Sequence, residues 1–172
     1  MPPIDIAQLL LLRRPRYFDG QLLTAATFRL EQDYLRATSQ LHNRLLHGWG
    51  AVDGLDVRSS AGTIIVSPGV ALDPAGNTIV VREPRQLSVP ASATALASLF
   101  VVVRYDEQLS DPVIVTGHGG DGTEHQTVDE GAVVAAEPTA PRPPDLGVTL
   151  ARIIWRTRQW RVDARFRRRR AR

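Results

Sequence analysis

This chain of 172 residues has a formal charge of +3 and contains neither cysteine nor lysine, so all 21 of its basic residues are arginine. Those absences exclude disulfides, thiolate metal sites, cysteine nucleophiles, Schiff-base lysines and Walker-type phosphate loops. A hydrophobic content of 43% suits one domain with a real core, and no apolar run approaches the roughly 20 residues needed to cross a bilayer.

Residues 1–23 are predicted to form an extended arm, because Pro15 and Gly20 interrupt any long helix there. The arm is rich in large apolar side chains but has no period that would fold it alone, so we expect it to bind an apolar surface of a partner. The residues expected to make this contact are Leu9, Leu10, Leu11, Leu12, Tyr17, Phe18, Leu22 and Leu23. In a signal peptide, basic residues precede the apolar run; here they follow it. We therefore expect the protein in the cytoplasm, or within a particle assembled there.

Residues 24–48 are predicted to form one long helix. Thr24 can act as its N-cap, no glycine or proline follows for 23 residues, and apolar side chains recur close to helical spacing from Phe28 to Leu45. Gly48 is the expected C-terminal stop, since a left-handed residue costs least there.

The helix exit carries His42, His47 and Trp49, which could indicate either a metal or catalytic cluster or a structural helix end. On an α-helix, residues five apart lie about 140° around the axis, so this spacing argues against joint chelation by the two histidines. An imidazole in the last turn can bond free carbonyl groups, and a tryptophan between two glycines can plug the turn. We therefore favour the structural interpretation.

Residues 49–163 are predicted to form an antiparallel β-domain, because short β-branched runs alternate there with Gly, Pro and Asn turns. The fold class expected is α+β: an N-terminal arm and a long helix packed on an antiparallel β-sandwich or barrel-like domain. Two segments, 115–131 and 137–147, are predicted to be irregular, because one holds five glycines and the other four prolines.

The glycine-rich segment offers a candidate metal site in His118, Asp121, Glu124 and His125. A metal-dependent hydrolase is therefore one possible function, but the segment has no predicted helix or strand to fix ligand geometry. No catalytic set is found elsewhere, and we expect a protein that is not an enzyme and needs no cofactor.

The charge is unevenly distributed, because residues 151–172 carry ten arginines and one acid, whereas the first 150 residues have a charge of −6. The basic tail, residues 164–172, contains Arg165, Arg167, Arg168, Arg169, Arg170 and Arg172. It could bind an anionic polymer, either nucleic acid or an acidic membrane. We favour instead a tail that is mobile, or a loosely continued strand, in the isolated chain and docks on an acidic neighbouring subunit.

The stretch from Arg14 to Val57, "RPRYFDGQLLTAATFRLEQDYLRATSQLHNRLLHGWGAVDGLDV", resembles the opening of proteins found among phage-tail-like contractile injection systems. The segment Ile64 to Val81 is similar to the β-segment that follows there, and to phage fibre and baseplate adaptor domains. Where that family often has cysteine, this chain has Asp53. The resemblance implies a structural or adaptor subunit, at the baseplate or a peripheral attachment, whose partners are other particle subunits in a homo- or hetero-oligomer.

Overall fold

The structure, a computed structural model, describes residues 12–61, 63–89, 97–115 and 122–171. One helix, α1, runs over Ala25–His42 and continues as a π-helical turn over Asn43–His47. The strands within these ranges are β1 Gly50–Gly54, β2 Val57–Ser60, β3 Thr63–Val66, β4 Gly69–Leu72, β5 Thr78–Val81, β6 Arg85–Leu87, β7 Ser98–Val115, β8 Gly122–Glu137, β9 Val148–Arg156 and β10 Gln159–Val162. In the described part of the chain, no helix is long and apolar enough to span a membrane.

The strands form three antiparallel sheets, with the orders β1-β4-β5, β10-β9-β7-β8 and β2-β3-β6. All three sheets contribute to one buried core, with Ile64 from β3, Ile79 from β5 and Val101 from β7. In β3 and β5 every second residue is buried, the alternation expected when one face of a sheet covers a core. Over the described residues, the prediction of one helix and antiparallel sheets is confirmed. No sheet among the described residues closes into a barrel, and the finer sandwich geometry stays a prediction.

Strands β7 and β8 form a hairpin that continues well beyond the rest of its sheet. Strand β9 pairs with β7 only as far as Val103, whereas the β7–β8 register continues to Val115 opposite Gly122. The prediction that residues 115–131 are irregular is therefore wrong for residues 122–131, because pairing with β7 supplies their backbone hydrogen bonds despite low intrinsic strand propensity. Every residue of β8 from Gly122 to Glu130 is exposed.

The connection between β8 and β9, residues 138–147, has no regular element, as the prolines predicted. Arg104 fixes it to the sheet by pairing with the carboxylate of Glu137 and donating to Asp145 Oδ2 at 2.8 Å. The Arg104 guanidinium, together with the backbone N–H of Gly147, holds the pKa of Asp145 below its usual range. A Cβ on Gly147 would lie 2.7 Å from Val102 Cγ1, so glycine allows this connection to approach the outer face of the sheet.

Candidate interaction surfaces

Helix α1 begins as the sequence predicts, because the side-chain oxygen of Thr24 accepts a hydrogen bond from the backbone N–H of Thr27 at 3.3 Å. The unexpected feature is its environment, since none of its residues is buried. Phe28 and Leu35, seven residues apart and therefore on one face, are 48% and 58% exposed. The apolar stripe of the helix is thus not covered by the β-domain of its own chain.

The helix touches the β-domain through a polar face instead. Arg36 pairs with Glu107 on β7, the side-chain amide of Gln40 donates to Asn77 Oδ1 at 2.7 Å, and that of Asn43 donates to Gly76 O at 2.9 Å. Gly76, with φ +94°, permits this approach, because a Cβ there would lie 2.3 Å from the Gln40 carbonyl oxygen. Arg36, Gln40 and Asn43 recur at helical spacing and therefore lie on one face of α1. Their polar contacts orient the helix, and its apolar stripe stays exposed.

The described part of the arm lies beside the helix and is equally exposed. Tyr17 donates to Glu31 Oε2 at 2.8 Å, which links the arm to α1 and raises the pKa of the Tyr17 hydroxyl. Phe18 and Leu22 are 67% and 82% exposed. Of the arm residues predicted to contact a partner, Leu9, Leu10 and Leu11 lie outside the described residues.

We call the exposed apolar side chains of the arm and helix the arm–helix surface. Its members are Leu12, Tyr17, Phe18, Leu22, Leu23, Phe28, Leu35, Leu45 and Leu46. Soluble monomers rarely expose large apolar side chains in such numbers on neighbouring elements, and surfaces of this kind mark interaction sites.

The helix exit differs from the α-helical geometry that the sequence led us to assume. Residues Asn43–His47 form a π-helical turn, in which hydrogen bonds join residues five apart rather than four. The Nε2 atoms of His42 and His47 consequently lie 3.3 Å apart, with ring centroids separated by 5.2 Å. The inference that their spacing keeps these two imidazoles apart is therefore wrong, because it used the α-helical period.

Trp49 follows the π-helical turn, after Gly48 with φ +71° ends the helix at the predicted position. Its indole is half-buried and packs against the core, in line with the expected apolar plug. The guanidinium carbon of Arg169 lies 4.1 Å from the centroid of the indole ring, a cation–π contact, and Arg169 Nε donates to the Trp49 carbonyl oxygen at 2.9 Å.

The basic tail lies against the β-domain of its own chain. Ala51 N donates to Arg169 O at 3.0 Å, and Ala171 N donates to Ala51 O at 3.1 Å, which makes a parallel bridge with β1. Arg168 donates to Leu55 O at 2.8 Å and pairs with Asp56 at 3.2 Å. The described tail residues therefore contact their own chain, and a tail that is mobile or a loosely continued strand stays a prediction.

The remaining tail arginines are less constrained. Arg165, Arg167 and Arg170 are exposed, and Arg167 donates to Ala164 O at 3.0 Å. Arg172 lies outside the described residues. The tail thus presents positive charge to solvent, while Arg168 and Arg169 are occupied by the chain itself.

The candidate metal loop is only partly described. His118 and Asp121 lie outside the described residues, whereas Glu124 and His125 are consecutive on β8 and so point to opposite faces of the hairpin. Among the residues that the structure covers, no group of three or more His, Asp or Glu side chains is placed to hold a metal ion.

The part of the β7–β8 hairpin that projects beyond β9 is strongly acidic. Residues 105–131 contain seven acids and no arginine, and Glu107 lies directly opposite Glu130 in the ladder. Like charges in directly opposite positions destabilise a strand pair. Tyr105 donates to Glu107 at 2.7 Å and Arg36 pairs with the same carboxylate, and both interactions lower the pKa of Glu107.

Comparison with known protein families and with curated protein sequences finds no match. Solved structures of type VI secretion baseplate components do share the fold. A chain of the TssK-TssF-TssG baseplate subcomplex has a TM-score of 0.56 at 18% identity, over 91% of this chain and 61% of that one. TssK in a crystal structure gives 0.57 at 15% identity, over 88% and 41%.

A chain of the type VI secretion baseplate complex gives a TM-score of 0.58 at 15% identity, over 91% of this chain and 59% of that one. Our chain therefore spans between 41% and 61% of the length of these three chains. At such low identity the likeness establishes a common fold.

Proposed function

We propose that this protein is a structural subunit of a contractile injection particle and that it joins neighbouring subunits through the arm–helix surface. The observation that carries the proposal is an 18-residue helix with no buried residue, whose Phe28 and Leu35 face solvent together with large apolar side chains of the adjoining arm. Burial of apolar surface stabilises an interface by about 25 cal/mol per Å2, so a partner covering this surface would gain a substantial free energy.

The shared fold supports the choice of particle. Its solved examples include chains of type VI secretion baseplate complexes, which are assemblies held together by contacts between subunits. The helix and the part of the arm from Arg14 onward also lie within the segment whose sequence resembles contractile injection proteins. In this proposal the function is architectural rather than catalytic, and the acidic hairpin and basic tail contribute to partner choice through charge.

The arm–helix surface can be tested with Leu22→Glu and Leu35→Glu in one chain, expressed in the producing organism in place of the native protein. Because both side chains are exposed, we expect circular dichroism and thermal unfolding of the purified variant to match those of the unsubstituted chain. In the interface, two carboxylates would be buried without partners, so we expect the variant to be lost from purified particles or the particles to fail to assemble.

The matched control is Leu146→Glu, which places a carboxylate at an exposed apolar position of the connection between β8 and β9, outside the arm–helix surface. This variant should be incorporated normally. Electron microscopy and quantitative mass spectrometry of purified particles provide the measurements. Intact particles that lack the unsubstituted protein, or that incorporate the double variant at normal stoichiometry, would refute the proposed role.

A further inference from the structure

The π-helical turn at the end of α1 brings two imidazoles together that an α-helix would separate. Nε2 of His42 and Nε2 of His47 lie 3.3 Å apart, and the ring planes are inclined at 56°. π-Helical turns are rare, and those inserted in α-helices frequently occur at functional sites. The pairing is thus a specific product of an uncommon backbone geometry.

We propose that His42 and His47 form a two-imidazole binding site for a divalent transition-metal ion, with zinc as the best-fitting ion. Zinc binds imidazole nitrogen at about 2.0–2.1 Å in tetrahedral geometry, which places two ligand atoms of the same ion about 3.4 Å apart. The observed separation of 3.3 Å matches that edge of the tetrahedron. Imidazole is a preferred ligand of zinc, copper and nickel, and coordination through Nε2 is common.

The surroundings allow an ion to reach these nitrogens. His42 is exposed and His47 is half-buried, and neither α1 nor the π-helical turn contains a buried residue. In the described part of the chain no third His, Asp or Glu completes a ligand set. With two imidazole ligands among the described residues, the proposed site binds its ion exchangeably, unlike a four-ligand structural zinc site.

A direct hydrogen bond between the imidazoles would also produce a separation of 3.3 Å, with one Nε2–H donating to the other Nε2. Zinc binding needs the lone pair of both Nε2 atoms, so the ring that carries the shared proton takes its other tautomer and both imidazoles stay neutral. The two arrangements differ in an observable way, since only the metal site takes up zinc at one ion per chain.

The test is isothermal titration of the full chain, without a histidine tag and freed of metal by chelator, with zinc chloride near neutral pH. We expect uptake of one ion per chain. His42→Gln and His47→Gln should each abolish this uptake, because one imidazole alone holds zinc weakly. The midpoint temperature of thermal unfolding should rise with zinc concentration in the unsubstituted chain and stay constant in both variants.

His125→Gln is the matched control, since it removes an exposed histidine of the β7–β8 hairpin that is remote from the helix exit in the fold. This variant should bind zinc like the unsubstituted chain. Circular dichroism checks that each variant is folded. The proposal is overturned if the unsubstituted chain binds zinc more weakly than about 1 mM, or if uptake persists in either His42→Gln or His47→Gln.

Discussion

Trp49 shows how a single side chain connects three parts of the molecule: the helix exit, the core and the basic tail. Its indole is half-buried against the core and stacks under Arg169. We expect Trp49→Ala to lower the free energy of unfolding by about 2 kcal/mol, less than the roughly 3–5 kcal/mol typical of fully buried large aromatics. Urea denaturation measures this change.

Arg169→Gln serves as the companion variant for Trp49, because it removes the cation–π contact and leaves the indole in place. Its cost should stay below about 1 kcal/mol, as the arginine is exposed. If Arg169→Gln destabilised the chain as much as Trp49→Ala, the packing of the indole on the core would not be the main contribution.

Asp145 is the residue where pH should act on the connection between β8 and β9. Its pKa is lowered in the folded state, first by Arg104 and then by the backbone N–H of Gly147. A carboxyl with a lowered folded pKa stabilises the fold above its unfolded pKa of about 3.9 and loses that contribution as pH falls through the lower folded value. Stability should therefore fall with acid below about pH 4.

The contribution of Asp145 is isolated by comparison with Asp145→Asn. The variant should be less stable than the unsubstituted chain near pH 7. The difference should shrink as the solution is acidified below pH 4, and it should be lost below the lowered folded pKa of Asp145, where both side chains are uncharged. Urea denaturation at a series of pH values gives this comparison. A difference that stayed constant from neutral to acid pH would contradict a role for the ionised carboxylate.

At the scale of elements, the sequence predicts what depends on local pattern. The Thr24 cap, the Gly48 stop and most of the strands follow from capping chemistry, glycine geometry and β-branched runs. The far half of the β7–β8 hairpin does not, because its glycines and acids become a strand only through pairing with β7. The π-helical turn could not be predicted either, because a helix is recognised in a sequence by the α-helical repeat of 3.6 residues per turn.

The exposed helix also could not be foreseen, because an apolar stripe on a helix normally predicts packing on the nearest domain. The structure instead orients α1 through Arg36, Gln40 and Asn43, which are not part of its apolar stripe. The signal in the sequence is their spacing of four and three residues, which places three polar side chains on one side of the helix.

The contact between α1 and the hairpin offers a test at this scale. Arg36 pairs with Glu107, whose neighbour across the ladder is Glu130. We expect Arg36→Gln to destabilise the chain by less than about 1 kcal/mol, since the pair is partly exposed. The cost should be smaller in a Glu130→Gln background, because the repulsion that Arg36 offsets is then absent.

Denaturation of the four chains of this cycle gives the coupling free energy directly. Thr123→Ala, at an exposed position of β8 near the far end of the hairpin, is a suitable control substitution. If Arg36→Gln lowered the free energy of unfolding equally in both backgrounds, the carboxylates of Glu107 and Glu130 would be solvated independently of each other.

At the scale of the whole molecule, the charge asymmetry is partly neutralised within the chain, because the basic tail rests on the first strand and its neighbours. We expect truncation after Asp163 to lower the midpoint of urea denaturation, since it removes the bridge to Ala51 and the arginine contacts at Leu55 and Trp49. Full stability of the truncated chain would show that these contacts contribute nothing in solution.

The same truncation tests binding of the tail to nucleic acid. Binding of duplex DNA through the exposed arginines would weaken with salt, with a log–log slope of about −0.9 per phosphate neutralised, and would disappear on truncation. We expect no tight binding at physiological salt, because Arg168 and Arg169 already contact groups of their own chain. Tight, salt-sensitive binding that the truncation removed would show instead that the tail is a nucleic-acid site.

The bridge between the tail and β1 makes the C-terminus an intramolecular ligand of its own domain. Only residues 164–167 separate Asp163 from Arg168, and so short a tether sets an effective concentration in roughly the millimolar range. Individually weak contacts therefore suffice to keep the tail bound to β1. Gly50 at the start of β1 allows the close approach of the tail, because a Cβ there would lie 2.7 Å from the Arg169 carbonyl oxygen. A competing basic strand from another subunit would have to exceed this local concentration before it could take the place of the tail.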